Sequence, residues 1–351
     1  LRIGLIMAYS TIIKPNTQFT PTIYSGNDVD GRAITTGFQT DWTWIKRRNA
    51  TNSYIISDIV RGATYKLDSS EATAEVNNYD GGHLESFTST GFTLGAGGIN
   101  SGHTNATGGT YVSWNWKAGG TASSNTDGTI TSSVSANTTS GFSVVGWTGT
   151  GATATVGHGL GTTPKLFIVK ERSEARNWPV VTTAIDGSWD SLYLNLTDTA
   201  GSSPQSADSS VFNFTSSNEF NASGQTYIAY AFADVKGFSK FGKYVGNGNA
   251  DGTFIYTGFK PAFVLMKNTA DAGGSWQLFD NKRDVDNVAN HRLFPNASSA
   301  ESTDADNNID IISNGFKMRT SNGDTNSNGV NFIYMAFAEN PLVANTSGGI
   351  P

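Results

Sequence analysis

Apolar residues along this chain come in short runs rich in β-branched and aromatic side chains, separated by clusters of Gly, Pro, Asn, Asp, Ser and Thr. That rhythm predicts strands joined by turns. Within several runs the large residues alternate, as in Tyr111-Val112-Ser113-Trp114-Asn115-Trp116, so that one face of a pleat carries the bulk. Helical spacing is almost missing; Glu71-Ala72-Thr73-Ala74-Glu75 is the segment that reads as a turn of helix.

The pattern repeats three times. Gly37-Phe38-Gln39-Thr40-Asp41-Trp42-Thr43-Trp44-Ile45-Lys46 corresponds to the block from Gly161 to Lys170 and to the block from Gly258 to Lys267. In each the Gly precedes the Lys by nine positions. Pro164 and Pro261 both fall six positions before the Lys, where the first copy has Thr40. A second block closes each copy: Asn105-x-x-Gly108 leading to Tyr111, Asn221-x-x-Gly224 leading to Tyr227, and Asn326-x-x-Gly329 leading to Phe332. A leading strand and turn also recur as Tyr24-Ser-Gly26, Trp147-Thr-Gly149 and Tyr244-Val-Gly246. An aromatic follows each Lys by eight or nine residues (Tyr54, Trp178, Trp276), and Asp58/Arg61 matches Asp280/Arg283 while copy two lacks both charges.

Each copy spans about 100 residues, the size of one β-sandwich. The expected fold is therefore all-β, with three tandem β-sandwich repeats, lectin-like or jelly-roll. A β-propeller is disfavoured because its blades need only about 40–45 residues. The expected organisation is an N-terminal segment (1–15), repeat one (16–120), a Gly/Ser/Thr-rich linker (121–140), repeat two (141–237), repeat three (238–341) and a C-terminal tail (342–351). The three copies could act as a pseudo-trimer within one chain.

Composition agrees and narrows the chemistry. Gly accounts for 40 of 351 residues and only 15 % are charged, which favours turns and extended surfaces. Aromatic residues reach 11 %, enough to build cores and exclude disorder. The net charge of −6 comes without any run of Lys or Arg, so nucleic-acid binding is not expected; no stretch approaches about 18 apolar residues, so membrane insertion is not expected either. Cysteine is absent, which removes disulfides, thiolate catalysis and Cys-ligated metals. The apolar run in Leu1 to Ala8 is interrupted by Gly4 and too short for a signal peptide; Met7 reads as a start, with Leu1 to Ile6 an upstream extension.

Candidate sites are few. His83, His103, His158 and His291 occupy unmatched positions, no Gly-x-Ser-x-Gly motif occurs, and no enzymatic activity is expected. Asp324-Thr-Asn326-Ser-Asn328-Gly329 opens like a calcium loop, but Met335 stands where the closing carboxylate belongs, so a hairpin turn is the better reading. Asp304-Ala-Asp306 and Asp28-Val-Asp30 are turns that could help hold calcium; no metal or other cofactor is assigned. Asn-x-Ser/Thr triplets are chance products of this composition. The Asp/Arg pairs read as structural ion pairs. Trp178, Trp189 and Trp276, set in polar, turn-rich surroundings, are the ligand-binding candidates, because apolar sugar faces pack on aromatic rings. Core packing is the competing reading of the same three residues.

These repeats bring a resemblance into view. The stretches Met7 to Pro15, Gly37 to Lys46, Val60-Arg61-Gly62-Ala63-Thr64, Tyr111 to Gly120 and Tyr334 to Pro341 resemble a family of virion structural proteins of marine tailed bacteriophages, often described as tail-fibre-like. The likeness runs over nearly the whole chain from Met7. It implies location in the virion after assembly in the host cytoplasm, a homo-oligomer (a trimer by preference), other virion proteins as partners, and a host surface glycan or receptor as ligand. A capsid-decoration or tail-adaptor protein is the alternative, and a tail-borne glycan depolymerase the second alternative.

Overall fold

The structure, a computed structural model, describes residues 10–77, 83–96, 101–303 and 306–341. The tail at 342–351, the opening residues 1–9 and Asp304 lie outside the described residues. The chain is all-β: among the described residues the α-helix is confined to Gly323–Asn326, and every strand pairing in the sheets is antiparallel.

One four-strand order occurs three times. In unit one it is Phe19–Ser25, Thr110–Trp116, Trp42–Arg47, Ile55–Asp58, extended by Gly62–Leu67 and Val76–Asn77. In unit two it is Phe142–Thr148, Thr226–Phe232, Leu166–Glu171, Pro179–Thr182, extended by Asp190–Tyr193 and Gly201–Ser202. In unit three it is Ser239–Val245, Asn331–Pro341, Phe259–Asn268, Gln277–Asp280. A three-stranded sheet covers one face of each: Arg32–Thr35, Gly91–Leu94 and Leu84–Thr88 in unit one; Ala154–Gly157, Val211–Phe214 and Ser206–Ala207 in unit two; Phe254–Tyr256, Gly315–Met318 and Ile309–Ile312 in unit three.

The central strands of the main sheets are buried on both faces, which explains their nearly continuous apolar runs. Alternate residues go to different cores. In Thr226–Phe232, Tyr227, Ala229 and Ala231 pack towards the small sheet of unit two, whereas Ile228, Tyr230 and Phe232 face inward. In Trp42–Arg47, Ile45 packs towards the small sheet while Trp42 and Trp44 face inward. The inward faces of all three sheets meet in one central core. Trp116, Phe232 and Phe337, each the last large residue of its closing strand, form a triangle there, with ring centroids 6.5, 5.5 and 5.9 Å apart. The three sheets thus share one core, and the alternating aromatics fill it.

The repeated turns have a local cause. Asn105, Asn221 and Asn326 are buried, and each Oδ1 accepts from a leading-loop N–H, of Asn27 (3.2 Å), Thr150 (2.9 Å) and Asn247 (3.0 Å) respectively. Gly26, Gly149 and Gly246 pass so close to the Asn turn that a Cβ would lie 2.0–2.2 Å from the carbonyl oxygens of Ala106, Ala222 and Ser327. Only glycine fits there. This plug of side chain and backbone accounts for the Asn-x-x-Gly motif.

Two expectations are corrected. Segment 121–140 is not a linker: Ser123–Asn125 and Ser132–Asn137 are strands that extend the main sheet of unit two beyond Phe142–Thr148. Its inward Ser side chains are hydrogen-bonded: Ser132 Oγ donates to Gly157 O at 2.7 Å and Ser135 Oγ to Gly120 O at 2.6 Å. Residues 71–75 are not helical; their carbonyls turn outward to unit two, as described next.

Candidate functional site

The three matched lysines come first, because they mark how the units are joined. Lys46, Lys170 and Lys267 are buried, and each reaches a carbonyl of a neighbouring unit: Ser298 O at 3.1 Å, Ala72 O at 3.1 Å and Thr197 O at 3.4 Å. Each also donates to a carbonyl of its own unit, of Arg47, Arg176 and Asn268. Two positions on, a backbone link crosses the same seam: Glu301 N to Arg48 O, Glu75 N to Arg172 O, and Ala200 N to Thr269 O. Unit one therefore grips unit three, unit two grips unit one, and unit three grips unit two. The ring closes.

Burial pushes all three ammonium groups down to about 8, from an ordinary 10.5. The unfolded chain keeps these protons to about pH 10.5, so between about pH 8 and 10.5 it binds more protons than the folded chain and stability rises with pH. Below about pH 8 both states are protonated and the contribution sits at its minimum. Urea unfolding at pH 9.5 should show stability greater than at pH 7.5 by about 1–2 kcal/mol per lysine. A flat or falling profile over that window would show that the lysines are not desolvated.

The Asp/Arg pairs belong to the same seams. Asp58 Oδ2 is 2.5 Å from Arg61 Nε and accepts from Tyr230 Oη of unit two at 2.8 Å. Asp280 Oδ2 is 2.6 Å from Arg283 Nε and accepts from Trp114 Nε1 of unit one at 3.0 Å. Glu75 then joins Arg61 to Arg172, and Glu301 joins Arg283 to Arg48. Thr182 of unit two takes the register position of Asp58 and Asp280, and Met335 of unit three takes that of Tyr230 and Trp114. Methionine has no hydrogen to donate, so that seam has no need of a buried acceptor. The missing charges of copy two follow from this.

The ligand-binding candidates from the sequence separate. Trp178 is fully buried, its Nε1–H donating to Asp68 O at 2.9 Å and Glu71 O at 3.1 Å of unit one. Trp276 is buried likewise, donating to Tyr193 O of unit two at 2.9 Å. Neither presents a ring face to a sugar; polar surroundings in sequence turn out to be carbonyls across a seam. Trp189 is half-buried against the core of unit two and retains partial exposure. The structure does not bring the three together into one site. Among the histidines, His158 is buried with Nδ1 accepting from Leu160 N, and His291 pairs with Asp284 at 2.5 Å. Among the described residues, no group of three or more His, Asp or Glu is placed to hold a metal ion, and no helix is long and apolar enough to cross a membrane.

A different surface carries the exposed aromatic rings of the described residues. On the outside of unit three, the edge strand Ser239–Val245 of the main sheet and the edge strand Phe254–Tyr256 of the small sheet border a groove of about 510 Å³. Phe254 and Tyr256 flank buried Ile255 and are 45 % and 48 % exposed; Val245 is 47 % exposed. Lys240 Nζ donates to Tyr256 O at 2.7 Å and stands 5.4 Å from the Tyr256 ring centroid, with Lys243 exposed on the same strand. A second hollow of about 480 Å³ continues past Lys240 and Tyr256 to Lys236 and Asp234.

The other two units act as internal controls. Register equates Phe254 and Tyr256 with Ala33 and Thr35 of unit one and with Thr155 and Gly157 of unit two. The buried position between them stays apolar throughout, as Ile34, Val156 and Ile255. Likewise Lys240 and Lys243 stand where unit one has Thr20 and Ile23 and unit two has Ser143 and Gly146. The fold is thus built twice without rings or cations at these positions. In unit two the corresponding edge is covered by Ser132–Asn137, and Ile130 bridges to Val156. The groove was legible only through the repeat alignment, by asking which outward positions differ.

Comparison with known proteins adds one finding. No curated protein and no solved structure matches. A family model described as a domain of unknown function, DUF7483, matches residues 14–341. With that match running from the first described turn to the end of the last strand, the chain belongs to the DUF7483 family.

Proposed function

We propose that this chain is a non-enzymatic, tail-fibre-like virion protein of a tailed bacteriophage that binds a host cell-surface glycan through the groove of unit three. The observation that carries the reading is the exposed pair Phe254 and Tyr256 beside Lys240, present in one unit and replaced by small or polar residues in the other two. A protein whose partners were all internal to a particle would cover such rings, whereas an attachment protein presents them. Supporting this, the seam carboxylates Asp58, Asp280, Glu75 and Glu301 are held by arginines, which is structural duty rather than acid–base chemistry.

Adsorption of the labelled full chain to bacterial cells, before and after oxidative removal of their surface glycans, tests the reading. Saturable binding that disappears after oxidation is the expected result. Absence of binding to any plausible host would move the protein to the alternative role, a decoration or adaptor protein contacting other virion components.

A further inference from the structure

Charge on the rim of the unit-three groove points to the class of ligand. The chain as a whole carries −6, yet Lys236, Lys240 and Lys243 line or border this groove. Against them stand Asp234 at the far end and Asp186 of unit two, whose carboxyl is held low chiefly by the Ser188 hydroxyl and backbone N–H, with a smaller pull from Lys243. Lysine is a strongly hydrated point charge suited to an anion that arrives in no fixed orientation. Lys on an edge strand also discourages chain-to-chain pairing. Edge protection does not require the two rings on the neighbouring strand, however, and unit one protects its own edge with Pro21 instead.

Resting on the attachment reading above, we propose that the groove is a single site for an anionic saccharide. Phe254 and Tyr256 would take the apolar faces of the sugars, while Lys240 and Lys243 hold a carboxylate or sulfate substituent. The site occurs once per chain although the strand order occurs three times. Unit one lacks the rings and the lysines, and unit two has its own strands over the equivalent edge.

The test uses the full chain on four immobilised polymers: polygalacturonate and its methyl ester, and dextran sulfate and dextran. At moderate salt the acidic member of at least one pair should bind at least tenfold more tightly than its neutral partner, at one chain-equivalent of sites. Retention on polygalacturonate or on dextran sulfate distinguishes carboxylate from sulfate. The variants Phe254→Thr, Tyr256→Thr, Lys240→Thr and Lys243→Gln should each lose most of that binding. Three of these place residues that units one and two tolerate at the same positions, so folding is expected to survive and circular dichroism checks it. Equal binding to both members of each pair overturns anion selection and leaves glycan attachment standing. Acidic binding undiminished in all four variants overturns the location, as does a stoichiometry of three. Failure on all four polymers by a protein that still adsorbs to cells in a glycan-dependent way overturns the anionic inference alone, whereas failure of both assays removes the attachment reading too.

Discussion

Trp116→Ala will destabilise the whole chain by about 3–5 kcal/mol, the usual cost of truncating a large buried aromatic. Its ring touches unit two through Phe142 and Phe232 and unit three through Phe263 and Phe337. The loss should therefore appear in one unfolding transition shared by all three units, with tryptophan fluorescence and far-ultraviolet circular dichroism moving together in urea. Phe92→Ala is the matched comparison, since Phe92 lies in the small core enclosed within unit one. If Trp116→Ala split the transition and left units two and three at their original midpoints, the central core would not be the element that joins them.

Arg61→Ala is the second large effect, expected at about 3–5 kcal/mol because it leaves Asp58 buried without its cation. Arg61 also donates to Ile56 O at 2.9 Å and meets Glu75, so the deletion strands more than one partner. The chain itself supplies the repair. Unit two places Thr182 and Ile185 where unit one has Asp58 and Arg61, opposite a register equivalent that is Met335 in place of Tyr230. The triple variant Asp58→Thr, Arg61→Ile, Tyr230→Met should regain most of the stability lost by Arg61→Ala alone, because well-packed apolar groups commonly replace a buried ion pair at little cost. Chemical denaturation of the single and triple variants decides it. A triple variant no more stable than the single one would mean that the seams are not interchangeable.

Much of this arrangement could be read from residues alone. The strand blocks ending in Lys46, Lys170 and Lys267 are strands, and the all-β class follows from their spacing and turn chemistry. What escaped is what periodicity cannot encode. Alternation shows that Tyr230 and Phe232 share a face, yet not whether that face meets its own small sheet or two other units. Trp178 and Trp276 lie among polar residues in sequence, and only folding turns those neighbours into carbonyl acceptors. Segment 121–140 has the composition of a linker because an outer strand hydrogen-bonded through Ser and Thr needs little apolar content. Phe254 and Tyr256 do not stand out in the sequence, because alternation about Ile255 looks like any strand until register aligns it with Ala33-Ile34-Thr35.

The closed ring of seams has a further consequence, for behaviour on dilution. A trimer of separate subunits obeys mass action and falls apart when its concentration drops below its dissociation constant. Here the three bodies are tethered, so each seam forms at the high effective concentration set by a short connection, such as the few residues between Phe232 and Ser239. The assembly is therefore as complete in one isolated molecule as in a concentrated solution. Covalent fusion also frees the three bodies from being identical, so one can change its outer surface while the other two keep the ring shut.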